Sequence, residues 1–158
     1  GKTLVQQSIA QYPTVDAYLW LYQQDIQSKN YGDAETQLIN SLKIDPNNPG
    51  LLTELATLYF VQGKYNDAVS LFERSLSINR NQPITFAYLG VSYEALGKTD
   101  RATQIFDFLK KQIPGSADKL IEQVRAQKGG SVTPAVETPD AATSTTSAKT
   151  TPAVKAKQ

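Results

Sequence analysis

The 158 residues include 16 Lys or Arg against 15 Asp or Glu, a formal net charge of +1, with no His, Cys or Met. Thirteen basic and thirteen acidic residues precede Gly129, so the basic stripe by which a nucleic-acid binder displaces counterions is missing and no nucleic-acid partner is expected. Disulfides, thiolate chemistry and the common zinc sites are excluded with Cys and His. No apolar run approaches the roughly 20 residues that cross a bilayer, so no direct membrane insertion by this chain is expected. A start at Gly1 without Met reads as a processed or cut product, with Gly1 as a protease scar.

In chain order, Leu4, Val5, Ile9 and Tyr12 suggest a short helix within residues 1–14, either a native cap or the remnant of an upstream repeat. Residues 15–28 carry Val15, Tyr18, Leu19, Leu21 and Tyr22 at helical spacing. Thr14 is placed to cap that helix, because its hydroxyl can accept from a free first-turn amide. After Lys29-Asn30, residues 31–44 place Ala34, Leu38, Ile39 and Leu42 on one face. Pro46 stops that helix, Asn48 is the next cap, and Pro49 suits a first helical position.

The scheme repeats over 49–62 and 65–78, with Gly63 able to take the left-handed conformation that ends a helix. A third pair follows over 83–96 and 99–113, turning at Gly97 and closing at Pro114-Gly115. Asp33 and Asp67 fall in first turns, where the helix dipole favours an anion. Ser116 starts a last helix with Ala117, Leu120, Ile121 and Val124 on one face and Lys119, Glu122, Gln123 and Arg125 on the other. One polar and one apolar face is what the end of a helical stack requires. From Gly129 the composition turns to Thr, Ala, Ser, Pro, Lys and Val. Such a tail buries too little apolar surface to offset its ordering entropy and is expected to be disordered. It would be a spacer, an O-glycosylated stalk or a solvated terminus.

A period of 34 residues runs through these elements. Tyr31 and Tyr65 align, as do Ala34, Ala68 and Ala102, then Leu38, Phe72 and Phe106, then Leu21, Leu55 and Leu89. A fixed period of this length marks stacked helical hairpins. The aligned positions resemble the tetratricopeptide repeat. The best repeat meets the pattern with Leu52, Leu55, Ala56, Tyr59, Gly63, Tyr65, Ala68, Phe72 and Leu76. The first departs at Asp25, where the family usually has tyrosine, and at Lys29, where it often has glycine. The resemblance implies an all-α protein, an α-solenoid of three hairpins with a C-terminal capping helix and the disordered tail. Its divisions are 1–14, repeats at 15–48, 49–82 and 83–116, a cap at 117–128 and a tail at 129–158.

The resemblance also implies a concave groove lined by the first helix of each hairpin. Asp16, Leu19, Gln23 and Gln27 would come from the first repeat, Thr53, Thr57, Phe60 and Val61 from the second, and Ala87, Val91, Glu94 and Ala95 from the third. Leu19, Phe60 and Val91 could equally be internal packing. This mostly neutral lining suits a helix or extended segment of a partner protein with apolar anchors. A chaperone-binding subclass clamps a terminal carboxylate with basic side chains. Its positions here hold Leu19, Gln23, Glu54, Ile84 and Tyr88, none of them basic, so acidic chaperone tails are not expected to bind.

An enzyme would need a nucleophile with a base, or paired carboxylates. Asp33 and Glu35 diverge on their helix, Ser75 or Ser77 with Lys64 has no motif around it, and no phosphate-cradling glycine loop appears. The chain is expected to be non-catalytic, without cofactor or metal, serving assembly, targeting or scaffolding. The alternatives are self-association through the N-terminal helix, or an accessory role in a larger bacterial enzyme. Similar arrays with such tails suggest the soluble side of a bacterial membrane-anchored or envelope protein.

Overall fold

A computed structural model describes residues 1–129; all of the tail expectation beyond Gly129 lies outside the described residues. Among the described residues there are eight helices: α1 (Lys2–Gln11), α2 (Val15–Gln27), α3 (Tyr31–Ile44), α4 (Pro49–Val61), α5 (Tyr65–Ile78), α6 (Pro83–Ala95), α7 (Thr99–Gln112) and α8 (Ala117–Gln127). None is long and apolar enough to cross a membrane.

Local chemistry sets the boundaries. Thr14 Oγ1 accepts from the Ala17 amide at 3.2 Å, and Asn48 Oδ1 accepts from the Leu51 amide at 3.2 Å. Each satisfies one of the donors a helix start leaves unpaired. Gly63 and Gly97 end α4 and α6 at φ +77° and +74°, and Lys29 takes φ +59° at the equivalent turn after α2. A side chain in that region costs about 1–2 kcal/mol, a strain the first repeat carries and the others avoid.

The helices pair as hairpins α2/α3, α4/α5 and α6/α7, and the hairpins stack in chain order, with α1 against α2 and α8 against α6 and α7. Small residues of the second helices sit inside the stack: Ala34, Ala68 and Ala102 are buried. Leu38 and Phe72, four residues beyond the first two of these alanines, are fully buried, whereas Phe106 near the C-terminal end is half-buried. Helix α4 lies mid-stack and is buried at every residue from Leu51 to Leu58. On α8, Ala117, Ile121 and Val124 face inward and Lys119, Glu122 and Gln123 are exposed. Arg125 departs from its expected place on the polar face: it is half-buried, donating to Glu94 and lying 5.3 Å over the Phe106 ring.

Tyrosine hydroxyls tie neighbouring hairpins. Tyr22 donates to Glu54 at 2.9 Å, Tyr59 to Glu35 at 2.8 Å, and Tyr93 to Glu73. Burial first, then the adjacent carboxylate, pushes the Tyr59 phenol up to about 12, and the same causes raise Tyr22 and Tyr93. The fold therefore holds these protons more tightly than the unfolded chain, in which a tyrosine titrates near 10. Stability from this source is complete below pH 10 and is lost as pH rises through the folded values. Thermal melts should show a midpoint that falls steeply between about pH 10 and pH 12, with phenolate absorbance of the native protein lagging that of the unfolded chain.

Candidate concave binding face

The first helices α2, α4 and α6 lie side by side, and the expected lining divides between them. On α2, Asp16, Gln23 and Gln27 are exposed and Leu19 is half-buried. On α6, Glu94 and Ala95 are half-buried. Thr53, Thr57, Phe60, Val61, Ala87 and Val91 are buried instead of open.

The contacts explain part of this burial. Thr53 Oγ1 lies 2.9 Å from Ser75 Oγ and 3.3 Å from Thr85 Oγ1, joining α4, α5 and α6. Thr57 donates to the Thr53 carbonyl at 2.8 Å, its hydroxyl satisfied within its own helix. The Phe60 ring meets Tyr65 edge-on at 5.6 Å and Tyr88 edge-on at 5.1 Å, favoured geometries for aromatic pairs. Val91 belongs to the same apolar core.

Two carboxylates on this face, Glu54 and Glu94, are tied to neighbouring helices. Glu54 accepts the Tyr22 hydroxyl in a buried position on α4. At the C-terminal end, Arg125 Nε and Nη2 meet Glu94 Oε2 and Oε1 at 2.9 and 2.7 Å, a two-pronged bond that fixes α8 over the end of α6. Tyr88 donates to Gln127 on the same cap. The open part of the face is thus the α2 end, polar at Asp16, Gln23 and Gln27 around one apolar contact at Leu19.

Sequence reasoning missed one ion pair, made by a buried carboxylate with a half-exposed lysine. Asp25 is fully buried and accepts from Lys2 Nζ at 2.5 Å and from Gln37 Nε2 at 3.3 Å. The bond to Asp25 holds the Lys2 ammonium above its ordinary range. The signal was the departure from tyrosine at Asp25; its cation lies 23 residues away and has no local signature.

A family profile described as tetratricopeptide repeat matches residues 25–84. Over residues 25–84 the chain carries tetratricopeptide-repeat sequence. Among solved structures it is similar to MamA AMB-1, with TM-score 0.64 and 22% identity over 75% of this chain and 66% of that one. A second crystal structure of MamA gives TM-score 0.67 and 18% identity, covering 80% of this chain and 79% of that one. The first repeat domain of Spaghetti (RPAP3), bound to the HSP90 peptide SRMEEVD, gives TM-score 0.62 and 20% identity over 71% of this chain and 90% of that one. At these identities the likeness is one of fold. No curated protein matches the chain.

Proposed function

We propose that the chain is a non-catalytic module that binds a helix or extended segment of a partner protein along its concave face, entering from the α2 end, in an assembly, targeting or scaffolding role. The observation that carries this reading is the contrast along the face. Helix α4 is buried over Leu51 to Leu58, whereas α2 leaves Asp16, Gln23 and Gln27 exposed beside a half-covered Leu19. One apolar anchor beside two neutral amides and a single carboxylate suits a partner segment with few charges. The solved complex of a similar fold with a peptide supports the general mode.

Its ligand class should differ from that peptide. Glu54 at a clamp position would repel a carboxylate, and the accompanying Leu19, Gln23, Ile84 and Tyr88 supply no cation. Titration with SRMEEVD is expected to give no saturable binding. The decisive test compares affinity capture by the native protein and by a Leu19→Asp, Gln23→Asp variant, with circular dichroism to verify that the variant is folded. A partner held by the native protein and lost by the folded variant supports the proposal; equal capture by both sinks it.

A further inference from the structure

The N-terminal edge carries a second interface, which meets the concave face at Asp16. We infer that α1 stands as the second helix of a hairpin, and that the face it forms with α2 receives that hairpin's first helix, joined ahead of α1 by a short turn.

Three observations converge. Leu4 precedes Leu38 by one 34-residue period, and Leu38 and Phe72 are fully buried at this register position, yet Leu4 is 69% exposed. Trp20 aligns with Glu54 and Tyr88, which are 6% and 2% exposed within the stack, yet Trp20 is 39% exposed. Two register positions on two helices are therefore uncovered on the side where the stack would continue. The third observation is the Lys2–Asp25 pair. Between later hairpins, a carboxylate on the second helix of one meets a tyrosine on the first helix of the next: Glu35 with Tyr59, and Glu73 with Tyr93. Asp25 aligns with those tyrosines, and α1 supplies its partner with the polarity reversed. Helix α1 thus bonds α2 at the position where α3 and α5 each bond the first helix that follows them.

The edge differs from the capped end in charge, although α1 also exposes the uncharged Thr3, Gln6 and Gln7. Helix α8 turns Lys119, Glu122 and Gln123 to solvent, whereas Lys2, the one charged side chain of α1, is committed to Asp25. Between α1 and α2 lies an open cleft of about 470 Å³ walled by Leu4, Ser8, Asp16, Ala17 and Trp20. The occupant that continues the stack is an amphipathic helix of the length of α2, α4 and α6, 13 residues each, with its apolar stripe on Leu4 and Trp20. Stacking interfaces between neighbouring repeats add to the stability of such arrays.

The experiment uses the chain's own first-helix sequence as probe. Residues 49–68 are copied directly ahead of Gly1, so that these 20 residues and residues 1–14 make up one 34-residue period. Trp20 is the only tryptophan, and the added segment contains none, so its emission reports the interface alone. The in-register fusion is expected to shift Trp20 emission to shorter wavelength, lower its acrylamide quenching several-fold and raise the melting temperature. A second fusion carries two extra residues before Gly1, which rotate the helix face by about 200°, and should leave Trp20 as exposed as in the native chain. Unchanged quenching in the first fusion, or equal protection in both, would overturn the inference.

Discussion

Phe72→Ala is expected to destabilise the protein by about 3–5 kcal/mol, the range for removing a fully buried phenylalanine. The ring is wholly inaccessible on α5 and stacks on Tyr88 of α6 at 5.6 Å and 14°. Tyr88 in turn packs edge-on against Phe60 of α4. The lost side chain therefore leaves a void where three helices meet, and neither hairpin can close it without dragging the other. A domain of this size has about 5–15 kcal/mol in total, so the variant should stand near its unfolding threshold. Urea titration should show a markedly lower midpoint. Phe106→Ala is the internal control: that ring is half-buried near the C-terminal end, and its loss should cost clearly less. Equal effects at the two positions would contradict the packing described.

Gly90→Ala is the second large effect, and its sign is the informative part. Alanine in a helix interior is favoured over glycine by about 1 kcal/mol, so propensity alone predicts stabilisation. A methyl at Gly90, however, would stand 2.4 and 2.8 Å from two carbons of the Phe106 ring. That ring is held under the Arg125 guanidinium, which is itself bonded twice to Glu94. Moving it disturbs the contact that fixes α8. Overpacking of this kind costs about 1–3 kcal/mol, which outweighs the propensity gain, and a net destabilisation is expected in chemical denaturation. Combining Gly90→Ala with Phe106→Leu should recover much of the loss; failure to recover it would mean that the close approach is not the cause.

What could be read from the residues follows from how local each signal is. Ala34, Ala68 and Ala102, with Leu38 and Phe72, announce themselves because the same size pattern returns at a fixed spacing, and all five are buried. Thr14 and Asn48 are legible for a similar reason, since a cap depends on its next three residues. The concave lining was less legible. Register gives the azimuth of Phe60 and Val91 on their helices but not how deep those helices lie, and both side chains are fully buried. Arg125 reads as a solvated residue until α8 is laid across α6 and brings it to Glu94. The same holds for Asp25 and Lys2, whose pairing exists only once α1 folds back on α2.

Hydrogen–deuterium exchange of the protein with and without its captured partner tests the concave-face reading most directly. Protection on binding should appear along α2, with α3, α5 and α7 unchanged. Protection confined to α3, α5 and α7 would contradict it and move the binding surface to the convex side.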